Sequence, residues 1–408
     1  MPLTRRQVFR RRRIVVFGGG ALVLAVGFYL PFTLLAPLHS VAGDVLPYQG
    51  PPVAEPALEF PGYGAAGIGA LDYPGVLASA GTPDALPIAS ITKVITALVV
   101  LDAHPLAVGE AGPDLTFSAI DEQFYADQVA QGGSVQTVYT GQVMSQRTIL
   151  TVLLLASANN YAQSLATWAF GSEAAFLAAA RAWLDREGLA ATIVTDPSGI
   201  LPSNVSPVGD LVQLAKLALR NPVIAELVAT PTADVPEIGV IENRNDLLGI
   251  DGVDGIKTGT LDEAGSCLLF SADRTVGAQT VTLVGVVLGG PDHPTIDAAI
   301  QALLGQAISG FREVELASVG ESFATYDTAW GDDSAAVAQR SLSVAIWSAS
   351  AVGTSIAVEE VRLATAGTPV GEVTFAVGER ILTVPLQLSE TIDDPGPWWR
   401  LMNPAKLF

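Results

Sequence analysis

Ser90 and Lys93 lie in the run Pro87-Ile88-Ala89-Ser90-Ile91-Thr92-Lys93-Val94-Ile95-Thr96, and their types and spacing point to chemistry. Three apart on a helix, a hydroxyl and an amine project from one face. A serine hydroxyl becomes a useful nucleophile once a nearby base takes its proton. A lysine kept neutral by apolar surroundings can be that base. The residues that follow, Val94–Leu101, are apolar on every side, the pattern of a helix buried inside a domain. Lysine is also scarce, with only Lys93, Lys216, Lys257 and Lys406 in 408 residues. Arginine supplies the remaining positive charge and does not deprotonate in a protein, whereas a desolvated lysine does. Lys93 therefore reads either as a base for Ser90 or as a cavity cap paired with an acid.

Two later stretches bear on that choice. Ser157-Ala158-Asn159 falls between two apolar helices, where a break exposes a hydroxyl and an amide. Asp254-Gly255-Ile256-Lys257-Thr258-Gly259-Thr260 places another lysine on a strand, beside a glycine that permits close backbone approach. Ser-x-x-Lys, Ser-x-Asn and Lys-Thr-Gly, in that order, form the signature of penicillin-binding proteins and serine β-lactamases. Together with Asp196-Pro197-Ser198-Gly199, Asn243–Leu248 and Gly252–Ala272, they make the chain from about residue 60 to 312 resemble the serine D-Ala-D-Ala carboxypeptidases, the low-molecular-mass penicillin-binding proteins.

The resemblance implies a set of roles. Ser90 would carry the acyl group, Lys93 would be its base, and Ser157 would relay the proton to the leaving D-alanine. Asn159 would hold the peptide amide. Lys257, Thr258, Gly259 and Thr260 would bind the substrate, with Lys257 and the two threonines on its terminal carboxylate. The backbone N–H groups of Ser90 and Thr260 would form the oxyanion hole, worth about 3 kcal/mol per donor. The expected partners are a peptidoglycan stem peptide ending in D-Ala-D-Ala, β-lactam antibiotics as acylating inhibitors, and a membrane; neither metal nor organic cofactor is called for.

Two departures from the family pattern stand out. Asn160 follows the Ser-x-Asn triplet where relatives commonly carry aspartate. The loop Gly289-Gly290-Pro291-Asp292-His293-Pro294 lacks the arginine that some relatives use for the substrate carboxylate, which leaves Lys257 and the threonines for that task. A β-lactamase would need an added carboxylate base, and Glu173, Glu187, Asp196 and Asp210 lie in no context that marks one. Cross-link endopeptidase activity and a catalytically silent wall-binding protein are the other readings; intact Ser90, Lys93, Ser157 and Lys257 argue against the latter.

The remaining sequence sets the frame. Residues 1–43 hold Arg5, Arg6, Arg10, Arg11, Arg12 and Arg13 and no acid; without these six, 15 basic residues stand against all 41 acids, a balance of −26. Such a surface argues against nucleic-acid binding. Ile14–Leu38 is long and apolar enough to span a bilayer, with the arginines on its cytoplasmic side. A cleaved signal peptide ending near Ser40-Val41-Ala42 is the alternative; either exports the chain after Gly43, as a single-pass membrane protein or a secreted one. One cysteine, Cys267, allows no intrachain disulfide. The histidines His39, His104 and His293 are scattered.

The expected fold class is α/β (α+β), an antiparallel sheet covered by helices, followed by a small C-terminal all-β domain. The strands are expected at Gly255–Thr260, Ser266–Ala272 and Thr280–Leu288, with Ile296–Phe311 as a closing helix. The boundaries read as 1–43 basic tip and apolar segment, 44–61 spacer, 62–312 catalytic domain, 313–394 β domain and 395–408 tryptophan-rich tail.

Overall fold

A five-stranded antiparallel sheet positions the site. In spatial order its strands are Val253–Leu261, Gly265–Val276, Gln279–Gly290, Ala65–Ala70 and Ala78–Gly81. The computed structural model describes residues 5–408; residues 1–4, the start of the expected basic tip, lie outside it. The middle strands are apolar almost throughout because both faces are covered. Alternation sends Cys267 and Leu269 into a core built with the helices on one face, and Leu268 and Phe270 into a second core on the other. The helices of the first core include Thr92–Ala103, Gln146–Leu155, Asn159–Phe170 and Val208–Arg220. Helix His293–Ser309 covers the second face and is capped by Asp292, whose carboxylate accepts from Thr295 N at 2.8 Å.

The sequence places the end of this last helix at Phe311. The chain turns at Gly310 instead, and Phe311–Ala317 becomes a strand paired with Leu342–Trp347. A six-stranded sheet completes the C-terminal module, in the order Asp44–Val45, Ser322–Asp327, Asp333–Ala338, Arg380–Leu388, Pro369–Val377 and Gly353–Val358. The segment 44–61, expected to be a spacer, thus contributes an edge strand, and further along it Ala54 N donates to Ser348 O at 2.8 Å.

Helix Arg5–Leu34 has 30 residues and a mean hydropathy of 2.1 over its most apolar window, long and apolar enough to cross a membrane. It starts within the arginine run and ends earlier than the apolar stretch, which continues to Leu38 as non-helical chain. Tyr29 Oη donates to the Leu401 carbonyl at 2.6 Å and Phe32 stacks on Phe408, so the tryptophan-rich tail meets the helix end.

Candidate active site

Ser90 sits in a single 3-10 turn, Ala89–Ile91, that feeds directly into helix Thr92–Ala103. The turn is shaped from two sides. Ala89 takes a left-handed φ of +46°, and a Cβ at Gly199 would come within 1.9 Å of its carbonyl oxygen. Only glycine lets the Asp196–Gly199 loop press so close. Across the cleft, a Cβ at Gly259 would lie 3.2 Å from Ser90 N, so the edge strand Val253–Leu261 passes directly over the serine.

Lys93 is fully buried, and its Nζ has three partners: Ser90 Oγ at 2.8 Å, Asn159 Oδ1 at 2.7 Å and the Ser198 carbonyl at 2.7 Å. The last two can only accept. A neutral amine has two hydrogens and one lone pair; donating to both acceptors leaves the lone pair for the Ser90 hydroxyl. Burial holds the Lys93 pKa well below that of an ordinary lysine, the charges of Lys257 and then Arg244 push the same way, and Asp196 opposes them. The amide of Asn159 is oriented by Gln128, whose Oε1 accepts from its Nδ2 at 2.8 Å.

Lys257 is 2% exposed, with a pKa lowered to about 7, first by burial and then by Arg244. Its Nζ donates to the Thr258 carbonyl at 3.2 Å; an ammonium has three hydrogens, so it retains donors for an anion. Ser157 is buried, takes a left-handed φ of +59° between helices Gln146–Leu155 and Asn159–Phe170, and lines a cavity together with Ser90. Thr260 Oγ1 lies 2.8 Å from His293 Nε2, the first residue of its helix.

Two connected cavities flank Ser90. One, of about 520 Å³, runs past Gly133, Asn159, Ile200 and Leu261 to Asp262 and Glu263. The other, of about 240 Å³, is lined by Ser157, Arg244, Asp246, Thr258 and His293 together with Ser90 and Thr260. All eight residues singled out in the sequence, Ser90, Lys93, Ser157, Asn159, Lys257, Thr258, Gly259 and Thr260, converge here.

Several site residues were not picked out from sequence. Arg244 enters from the turn after a hairpin and donates to Ser134 Oγ at 2.7 Å. With His293, it lines the small cavity beside Ser90, Thr258 and Thr260. Its signal was present in Asn243–Leu248, one of the stretches that carries the resemblance. Asp196 is buried and accepts from Ser198 N, Gly199 N and Leu201 N at 2.7, 2.8 and 3.0 Å, which fixes the loop that binds Lys93.

A helix-covered antiparallel sheet with a serine, two buried lysines and a Ser-x-Asn break at one edge is the arrangement that the resemblance to the serine DD-peptidases implies. Residues 72–292 match the D-alanyl-D-alanine carboxypeptidase family, and the chain belongs to it. Among curated relatives, it is 32% identical over 206 residues to the D-alanyl-D-alanine endopeptidase of Pseudomonas aeruginosa, covering 49% of this chain and 63% of that protein. It is also 32% identical over 232 residues to the D-alanyl-D-alanine carboxypeptidase DacB2 of Mycobacterium tuberculosis, covering 55% and 75%. The matched region spans about three-fifths of the length of the Pseudomonas protein and of a second, Escherichia coli endopeptidase. The crystal structure of penicillin binding protein 5 from Haemophilus influenzae superposes with a TM-score of 0.59 at 19% identity, over 84% of this chain and 100% of that one. A peptidoglycan synthesis regulatory factor (PBP3) from Streptococcus pneumoniae gives 0.60 at 21%, over 81% and 99%. These two likenesses concern the fold, including the C-terminal module.

Proposed function

We propose that this protein is a serine D-alanyl-D-alanine carboxypeptidase that removes the terminal D-alanine of peptidoglycan stem peptides through an acyl-enzyme on Ser90. The contact that carries the reading is Lys93 Nζ at 2.8 Å from Ser90 Oγ, with its other two partners both acceptors. Lys93 takes the serine proton, Ser90 Oγ attacks the carbonyl of the penultimate residue, and the N–H groups of Ser90 and Thr260 stabilise the oxyanion. Ser157 passes the proton to the leaving amine. Water then hydrolyses the ester.

Electrostatics supports one orientation of the peptide. Strand Val253–Leu261 is the free edge of its sheet and can accept an added strand. Lys257 at its middle has the Arg244 charge nearby, and Asp262 and Glu263 follow its C-terminal end. A peptide with a C-terminal carboxylate therefore runs antiparallel to it, carboxylate towards Lys257. Asn159 has one N–H left for the peptide, because its oxygen and other N–H serve Lys93 and Gln128.

A β-lactamase is less well supported. Asp196 is held by backbone amides, Asp210 accepts from Thr192, and Glu187 pairs with Arg186 at the surface, so these acids have other tasks. For the amino-terminal segment we favour a retained anchor with the catalytic domain outside the cell. Leu38 is buried, and Val41 exchanges hydrogen bonds of 2.7 and 2.9 Å with Val361, so the stretch before Gly43 is built into the module.

Purified protein assayed for D-alanine release from a D-Ala-D-Ala peptide, alongside penicillin turnover, tests the assignment. D-alanine release with slow penicillin turnover is expected, and Ser90→Ala abolishes covalent labelling by penicillin. Rapid penicillin hydrolysis without D-alanine release would reverse the order of the two readings.

A further inference from the structure

Lys93 alone does not decide which end of the Asn159 side chain it meets. A carboxamide has an oxygen and an NH2 group of nearly the same size, and half a turn exchanges them. A protonated amine selects the oxygen, because it has only hydrogens to offer. The neutral Lys93 that activates Ser90 is less selective: it can accept from an NH2 group as well as donate to an oxygen. In that reversed orientation the lone pair needed for the Ser90 hydroxyl is occupied, and the N–H that Asn159 keeps for the peptide turns away.

A line of amides running away from the cleft holds the productive orientation. Asn159 Oδ1 accepts from Lys93 Nζ at 2.7 Å, and Asn159 Nδ2 donates to Gln128 Oε1 at 2.8 Å. Gln128 Nε2 donates to Gln163 Oε1 at 3.2 Å, and the Gln163 side chain in turn hydrogen-bonds the carboxylate of Glu173. Three helices carry the line. Gln128 lies near the end of Ala119–Ala130, Asn159 and Gln163 are four apart on Asn159–Phe170, and Glu173 begins Glu173–Arg186. Asn159 and Gln128 are buried. Gly133 closes over the bond between them: a Cβ there would fall 2.6 Å from Asn159 Nδ2 and 2.7 Å from Gln128 Oε1. Its own N–H donates to the Gln128 carbonyl at 2.8 Å.

Every link donates in one direction, from Lys93 towards Glu173. The three amides would serve equally well reversed, so only the end group distinguishes the two directions. An ionised carboxylate accepts and never donates. Burial and then Asp196 raise the Glu173 pKa, and the bond from Gln163 lowers it, as a donor to the ionised form does. We infer that Glu173 is a positioning residue for the acylation of Ser90: by accepting from Gln163 it sets the polarity of the whole line and turns the oxygen of Asn159, not its NH2 group, to Lys93. This inference rests on the acyl-enzyme reading above and adds the group that keeps its base free to act.

The test measures the second-order rate constant of Ser90 acylation by a fluorescent penicillin, on the full-length protein in detergent. Glu173→Asp keeps an acceptor and is expected to stay within about threefold of wild type, whereas Glu173→Lys offers only donors, reverses every link and is expected to lose about tenfold or more. Glu173→Met removes the acceptor without supplying donors and is expected between the two. Gln128→Glu supplies the rescue, because a carboxylate beside Asn159 fixes its amide whatever stands at position 173. In that background Glu173→Lys is expected to change the rate by less than about twofold, whereas damage that is merely structural adds to the loss. Wild-type rates in Glu173→Lys overturn the inference, as do equal losses in Glu173→Met and Glu173→Lys, or equal losses with and without Gln128→Glu. No acylation of wild-type Ser90 would overturn the parent reading, and the role of Glu173 with it.

Discussion

The carbonyl of Ser198 accepts from Lys93 Nζ at 2.7 Å, and a carboxylate that bonds to neither Ser90 nor Lys93 holds it there. Asp196 gathers the N–H groups of Ser198, Gly199 and Leu201 and the Ser198 hydroxyl at 2.6–3.0 Å. Removing it leaves several buried donors without a partner, each costing about 1–3 kcal/mol. The Lys93 amine loses its fixed acceptor as the loop relaxes. Misplacement of this order costs about 100-fold in rate, so Asp196→Ala is expected to slow penicillin acylation by 10- to 100-fold. Asp196 also raises the Lys93 pKa; without it, the acid limb of the acylation rate moves to lower pH. An unchanged pH profile in a folded, slow variant would mean that Asp196 acts on structure alone.

Lys257 sets an expectation at the alkaline side. Its pKa of about 7 in the free protein means that it loses its charge as pH rises through neutrality. For a substrate that ends in a carboxylate, kcat/KM, which reports the free enzyme, is expected to fall across that range. Lys257→Arg keeps the charge and moves the fall to higher pH. Stability runs the other way. Between about pH 7 and 10.5 the unfolded chain binds the proton that folded Lys257 has lost, so stability rises with pH over this window. Lys257→Met is expected to reduce that rise, the remainder coming from Lys93, whose pKa burial also lowers, as denaturant titrations at several pH values would show.

How much of this was legible in sequence depends on the range of the interaction. Ser90 and Lys93 are neighbours on one turn, so spacing alone brought them together. The strands around Phe270 and Val286 were readable because burial on both faces makes them almost wholly apolar. Arg244 was not picked out, because its place depends on a hairpin, Thr232–Glu242, that packs far from Ser90 in the chain. His293 looked isolated for the same reason: only the cap at Asp292 and the folding of its helix bring it to Thr260. Asp44–Val45 read as a spacer, since two residues carry no periodicity and pair only because an edge is offered to them.

Arg244 gives a prediction about substrate charge. Its guanidinium shares the small cavity with Ser157 and Thr258, and loss of a hydrogen bond to a charged group costs about 1.5–3 kcal/mol. Arg244→Gln is therefore expected to raise KM for a D-Ala-D-Ala peptide by about 10- to 100-fold. The same peptide with a C-terminal amide, lacking the charge, is expected to bind wild type and variant alike. A KM increase of equal size for both peptides would assign Arg244 to shaping the loop at Ser134 instead.

Tyr73 joins the catalytic sheet to the C-terminal module, and its removal tests whether the two unfold together. The ring is buried, edge-on to Phe311 at 5.5 Å, with the Arg380 guanidinium 6.0 Å from its centre. Its hydroxyl donates to the Ala345 carbonyl at 3.2 Å and accepts from Trp347 N at 3.1 Å. Tyr73→Phe leaves the Trp347 N–H without a partner, at a cost of about 1–3 kcal/mol, while the Ala345 carbonyl keeps the Arg380 guanidinium at 2.8 Å. Tyr73→Ala adds a cavity, for a total nearer 3–5 kcal/mol. One apolar core runs from Phe270 and Ile300 through Tyr73 and Trp347 to Phe375, so the destabilisation is shared by both modules. In urea, the tryptophan signal of the C-terminal module and penicillin labelling of Ser90 are expected to be lost at one common midpoint, shifted down together in both variants. Loss of labelling at a lower midpoint than the tryptophan change would show that the core divides at Tyr73.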